Sequence, residues 1–304
     1  MAALIDSCVQ LRDRVRARIR QSTKLSPAYY GLHRPALWVS GRQRSAAAAA
    51  KTLFPELRST AYVTSSIQSL GVAHAEEFWA QVDSLLVELD SVSIGHFEGD
   101  LSDGRSTAAH CISVDPPELL AKAPQLLLTG VDETLLDLAE GYLGVPAAFT
   151  TVHLRKDIGT AQQVGTRIWH LDTEDHRVLR VIVYLSDVGI DDGPFEFIPL
   201  EHTRRQPAAI KDRGYRAAGD PLLDDEMASL VPRDQWRQST GPRGTMVIAD
   251  NARLFHHGKP HSSQRIALIY TYTSRSPRYP VLHRNPAFDD RLSPRQRAAF
   301  FATT

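Results

Sequence analysis

His170 and Asp172 lie two residues apart in the segment R-I-W-H-L-D-T-E-D, which begins at Arg167. On an extended strand, an imidazole and a carboxylate at that spacing point to the same face. Both can then reach one metal ion from adjacent directions. A histidine from a distant strand would complete a 2-His-1-carboxylate facial triad, a ligand set that suits iron(II) and leaves coordination positions open. The triplet alone carries little weight. A chain with 12 histidines and this many aspartates yields roughly one H-x-D by chance. Its surroundings decide whether it matters.

The elements that must carry such a site change character near Pro146. Before it, the pattern is helical. Ala2 to Gln21 intersperses Ile5, Val9, Val15 and Ile19 with arginines, as a surface helix does. Residues 46–50 are five alanines. Glu76 to Val92 spaces Phe78, Val82, Leu85, Leu86 and Leu89 along one helix face. Asp132 to Leu143 is a further amphipathic stretch, with Gly144 as its stop. After Pro146 the chain reads as strands at Phe149–Leu154, Val178–Leu185, Phe195–Ile198, Thr245–Ala249 and Ile266–Thr273. The expected fold is α+β, with a β core in the second half flanked by helices mainly from the N-terminal half. We expect one domain over 1–304: a mainly helical part at 1–145, a β core at 146–280 and a tail at 281–304. Thr203 to Gly244 is a long polar connection inside that core, either a lid-like binding loop or an exposed insertion without a role.

Composition narrows the partners. The 304 residues carry 35 Lys plus Arg against 35 Asp plus Glu, a net charge of zero. That argues against a nucleic-acid surface, which needs a basic excess. The two cysteines, Cys8 and Cys111, cannot build a disulfide framework or a cysteine-rich zinc site. They fit reduced thiols in the cytoplasm. No apolar run approaches the ~20 residues of a membrane helix. Arginines at 12, 14, 16, 18 and 20 are interrupted by Asp13 and followed by no apolar signal core, so a transit peptide is not expected.

Five linked segments carry a family resemblance, over about residues 150–275. They are W-H-L-D-T-E-D, then R-V-I-V-Y-L-S-D-V, then D-G-P-F-E-F-I-P-L-E-H, and last G-P-R-G-T-M-V-I-A-D-N-A-R-L-F-H-H-G-K-P with Q-R-I-A-L-I-Y-T-Y. In this order they resemble the phytanoyl-CoA dioxygenase family of iron(II)- and 2-oxoglutarate-dependent oxygenases. The chain departs from the family where Leu200-Glu201-His202 replaces G-S-H, and where Arg265 follows the distal histidine after a shorter loop.

The resemblance implies a double-stranded β-helix core, a jelly roll of the cupin type. It implies that His170, Asp172 and a histidine at 256 or 257 hold Fe(II). Neighbouring strand residues point to opposite faces, so only one of the pair can serve; His256 matches the H-x-G pattern better. Arg265 is the implied anchor for the far carboxylate of 2-oxoglutarate, since a guanidinium can bind it through two parallel hydrogen bonds. A structural ion pair is the other use for that arginine. His153, Arg155 and Tyr184 are weaker candidates for polar contacts with co-substrate or substrate. Arg177, Arg180, Arg204 and Arg205 could meet a carboxylate, although surface arginines seldom do. Glu174 and Asp175 are expected to order the loop after the ligands, and Trp169 to pack in the barrel wall.

The implied activity uses O2 and 2-oxoglutarate to oxidise, by preference hydroxylate, an unactivated C–H bond of a small molecule, with release of succinate and CO2. Asp172 argues against halogenation, in which a small residue takes the carboxylate's place. A catalytically silent metal- or ligand-binding barrel and a zinc hydrolase are the alternatives.

Overall fold

The computed structural model of the chain describes residues 47–91, 93–99, 109–205, 222–260, 263–275, 277 and 291–300. The expected helix at Ala2 to Gln21 lies outside them, as do Cys8 and residues 206–221 of the insertion.

In chain order the first half gives α1 (Ala48–Thr60), β1 (Tyr62–Ser66), α2 (Ile67–Leu70), α3 (Ala75–Asp90), β2 (His96–Gly99), β3 (Ala109–Val114), α4 (Pro116–Lys122), α5 (Pro124–Thr129) and α6 (Glu133–Leu143). The second half gives β4 (Ala147–Asp157), β5 (Leu179–Tyr184), β6 (Phe195–Phe197), α7 (Leu200–Arg205), α8 (Asp224–Leu230), β7 (Arg237–Ser239), β8 (Thr245–Asp250), β9 (His256–Gly258), β10 (Arg265–Ser274) and α9 (Pro294–Phe300). None of the described helices is long and apolar enough to cross a membrane.

The strands form two sheets. The larger has seven strands in the order β1-β8-β5-β10-β4-β3-β2, and the smaller has three in the order β7-β6-β9. Every recorded pairing is antiparallel. This is the expected jelly-roll arrangement of helices and antiparallel sheets. One feature differs: β1, β2 and β3 come from the half that reads as helical. They are short; β1 and β2 form the two edges of the larger sheet, and β3 lies next to β2. An edge strand has only one neighbour, so its sequence shows less of the apolar alternation that marks a strand.

The two faces of the larger sheet do different work. Leu179, Val181 and Val183 of β5 and Leu268, Tyr270 and Tyr272 of β10 face outward, into one core with the helices. The Tyr270 hydroxyl donates to the Leu126 carbonyl at 2.6 Å, and that of Tyr272 to the Gly130 carbonyl at 2.7 Å. In that layer α3 buries Phe78, Val82, Leu85 and Leu89, the spacing of one helix face. α6 starts where an Asp132 carboxylate oxygen accepts from the Thr134 N–H and stops where Gly144 takes a left-handed φ of 74°. The inner face turns Ile182, Tyr184, Val247 and Ala267 toward Phe195 and Phe197 of the smaller sheet. The space between the sheets holds the site.

Half of the polar insertion is part of this frame. β7 pairs with β6, and Leu222, Met227, Val231 and Trp236 form a third apolar cluster around Trp169 and Phe255. Residues 222–244 are therefore wall rather than free loop.

Candidate metal centre and its cavity

β4, β10 and β5 lie side by side and align their inward side chains. On β4, His153, Arg155 and Asp157 share the inner face at intervals of two. Their partners on β10 are Ile269, Ala267 and Arg265. On β5, Ile182 stands opposite Ile269 and Arg180 opposite Thr271. The facing wall comes from residues 165–172 and β9. Together they enclose a cavity of about 260 Å³, lined among others by His153, Arg155, His170, Asp172, His256 and Arg265.

His170 is not in a regular strand. It makes a single bridge to His256, in which each backbone N–H donates to the other's carbonyl at 3.1 Å. The Asp172 N–H donates to the Asn251 carbonyl at 2.9 Å. These three bonds replace the strand that the spacing predicts, and they bring the two imidazoles to a ring separation of 4.3 Å. Nδ1 of His170 donates to the Ile168 carbonyl at 2.7 Å, and Nδ1 of His256 to the Leu254 carbonyl at 2.9 Å. A carbonyl oxygen can only accept, so each Nδ1 carries the hydrogen and each Nε2 is the nitrogen left to bind a metal. The two Nε2 atoms lie 3.7 and 3.9 Å from Asp172 Oδ1. One possible ligand atom from each residue falls within 4.8 Å of the others.

Electrostatics suit that role. Burial, with His170 alongside, pushes His256 down to about 3, which keeps its imidazole neutral. Burial would raise Asp172, but the Arg180 guanidinium together with the His256 and His170 rings outweighs it and holds the carboxyl well below the usual carboxylate range. Arg180 donates from Nε to Asp172 Oδ2 at 2.7 Å and from Nη2 to Glu174 Oε1 at 2.8 Å. Asn251 is 4% exposed, and its Nδ2 sits 2.8 Å from His256 Nε2. Its Oδ1 has no hydrogen-bond partner among the described residues.

The neighbouring histidine has another occupation. His257 has no exposed surface. Its Nδ1 meets the Arg167 carbonyl at 2.9 Å and its Nε2 meets Glu196 Oε2 at 2.7 Å. Both ring nitrogens already face oxygen acceptors. Trp169 stacks on this ring with centroids 3.9 Å apart, edges against Trp236, and donates from Nε1 to Asp224 Oδ1 at 2.8 Å. It is wall, as the sequence suggests. Asp175 accepts from both the backbone N–H and the hydroxyl of Ser274, and so pins the loop after the ligands.

Arg265 is 8% exposed and is ion-paired. Nε and Nη2 donate to Asp157 Oδ2 at 3.0 and 2.6 Å, and Nη1 donates to the Gly193 carbonyl. Both uses expected of this arginine are compatible, because a guanidinium has five N–H donors. Three meet Asp157 and the Gly193 carbonyl, and the Tyr184 hydroxyl is a further side-chain hydrogen-bond neighbour of the guanidinium. Burial would raise Asp157, but Arg265 and Arg155 hold it below the usual range. Tyr184 is a different case. It does not line the cavity, and its hydroxyl donates to the Ser239 carbonyl at 2.7 Å and accepts from the Phe195 N–H at 3.1 Å.

The structure thus gathers His170, Asp172, His256, Arg265, His153 and Arg155 around one cavity and leaves Tyr184 and the Arg177 side chain outside its lining. Arg180, one of the arginines that could meet a carboxylate, meets that of Asp172; Asp157, Asn251 and Glu196 complete the surroundings and are not singled out by sequence reasoning as site residues. Arg180 left a signal, as the one charge inside V-L-R-V-I-V-Y-L. Asn251 and Glu196 left none that spacing could read.

No family model matches the chain, and no curated protein matches it. Solved structures do. EctD from S. alaskensis, solved with 2-oxoglutarate and 5-hydroxyectoine, superposes with a TM-score of 0.50 at 20% identity, covering 74% of this chain and 76% of that one. The same protein in its apoform gives a TM-score of 0.50 at 21% identity, over 78% and 82%. HygX from Streptomyces hygroscopicus, with nickel and 2-oxoglutarate bound, gives 0.49 at 16% identity, over 76% and 88%. Identities this low speak to architecture alone: the chain has the jelly-roll fold of EctD.

Proposed function

We propose that this chain is an Fe(II)- and 2-oxoglutarate-dependent oxygenase of the phytanoyl-CoA dioxygenase type, acting on a small molecule. One observation carries the reading. Two imidazole Nε2 atoms and one carboxylate oxygen converge within 4.8 Å, in a cavity that also presents a buried arginine. Two neutral nitrogens and one carboxylate oxygen are the donor set of the facial triad, so the residues present fit the metal. His170, Asp172 and His256 would hold it. EctD, which shares the fold, was solved with 2-oxoglutarate, and Arg265 supplies the charge that its far carboxylate needs.

When bound, the metal and the keto acid supply the oxidising chemistry. The chain supplies position and shelter. The Arg265 guanidinium, which lines the cavity, anchors the co-substrate. Ile182, Ile269 and Phe195 give the cavity apolar walls that exclude water, while His153, Arg155 and Thr166 give it polar ones. The expected outcome is hydroxylation. A zinc hydrolase would need a general base beside the metal. Glu174 is tied to Arg180 and Glu196 to His257, so neither is free to act as one.

The test is anaerobic titration of metal-free protein with iron(II) and then 2-oxoglutarate, following the visible charge-transfer band of the chelate. The band should form in wild type and in His257→Ala, and vanish in His170→Ala and His256→Ala. No band in wild type sinks the reading.

A further inference from the structure

The ligand set does not require Arg180, yet its guanidinium is locked against it. Nε donates to Asp172 Oδ2 at 2.7 Å, Nη2 to Glu174 Oε1 at 2.8 Å, and Nη1 to the Thr271 hydroxyl. That hydroxyl is itself fixed by Thr151 at 2.7 Å. The side chain is 15% exposed. Engaging Oδ2 favours Oδ1, the oxygen that faces both histidine Nε2 atoms, as the atom Asp172 offers to a metal. It also places a fixed positive charge one carboxylate away from that metal. In a buried site little solvent or salt screens the repulsion. A fixed positive charge opposes a 3+ ion more than a 2+ ion. Glu174, on the other side of the guanidinium, acts with the opposite sign.

We propose that Arg180 is a positioning residue that holds Asp172 to one-oxygen ligation and biases the bound iron toward the ferrous state. The inference rests on the function proposed above, since it needs iron in the triad.

The experiment separates the two. First, Mn(II) is titrated into metal-free wild type and His170→Ala and followed by electron paramagnetic resonance. Binding to wild type that is lost in the variant establishes an occupied triad. Equal binding to both, or none to either, overturns the metal assignment and this inference with it. Next, the Fe(III)/Fe(II) potential of the iron-loaded protein is measured anaerobically with mediator dyes and an electrode as electron source. In Arg180→Gln the ferric form should gain about tenfold on the ferrous, a fall of about 59 mV for one electron. Arg180→Lys keeps the charge and should stay near wild type. Glu174→Gln should move the potential upward. Glu174→Gln is a change at a partly exposed position (27%), so it decides the matter alone if an Arg180 variant does not fold. Equal shifts in the Gln and Lys variants would mean that geometry, not charge, is at work. That result, or a Glu174→Gln potential that stays or falls, overturns the proposal.

Discussion

His256 and His257 are adjacent and have opposite fates. Strand alternation requires that: one imidazole faces the other two candidate ligands, and the other is buried against Glu196 and Trp169. What fixes the choice physically is Glu196, which lies far away in sequence and 2.7 Å away in space. Gly258 shows how tightly the same strand is fitted. A Cβ built there would lie 3.3 Å from Arg265 Nη2. The guanidinium cannot retreat, because Asp157 and the Gly193 carbonyl hold it. Gly258→Ala should therefore weaken 2-oxoglutarate binding about tenfold, roughly 1.4 kcal/mol, and leave Mn(II) binding intact. Equilibrium titration of the co-substrate measures it, and unchanged binding would remove Arg265 from the anchor role. At this scale the candidate ligands are legible, because their types and spacing are the chemistry. The residues that orient them are not. A carboxylate that pairs across the fold looks like any other acidic residue in a sequence.

Elements were legible where burial is two-sided. β5 and β10 sit inside the larger sheet, and their β-branched and aromatic runs match the expected strands within one or two residues. β1 and β2 at its edges, and the short β3 beside β2, carry no such run. The turn between β8 and β9 is held by Asp250. Its Oδ1 accepts from the Val178 and Ala252 N–H groups at 3.2 Å, and its Oδ2 from the Tyr142 hydroxyl at 2.6 Å. Burial pushes this carboxyl up to about 6 despite those bonds. The folded protein then binds the proton more tightly than the unfolded chain, where an aspartate titrates near 3.9. The stability this group contributes is present below the unfolded value and is lost as pH rises through about 6. Asp250→Asn removes the titration. From pH 8 to pH 4, urea unfolding should show the difference between the two proteins shift by about 2 kcal/mol in favour of wild type. A difference that does not change with pH would return the carboxyl to its ordinary value.

The whole molecule is a division of labour between two sheet faces. Hydropathy patterning reveals that a β core is wrapped by helices, because the outer face of the larger sheet and the helices share one apolar cluster. It does not reveal that residues 222–244 close the other side, since a wall built from Trp236, Met227 and a three-residue strand resembles a polar loop. That wall puts Trp169 against Trp236 and flat on His257, one residue before His170. Such an arrangement gives the protein a built-in optical gauge. An open-shell ion in the triad should quench indole emission, and Trp169→Phe should abolish most of that quenching while the ion still binds. If so, loading of the site can be followed by the protein's own fluorescence, without label, colour or turnover.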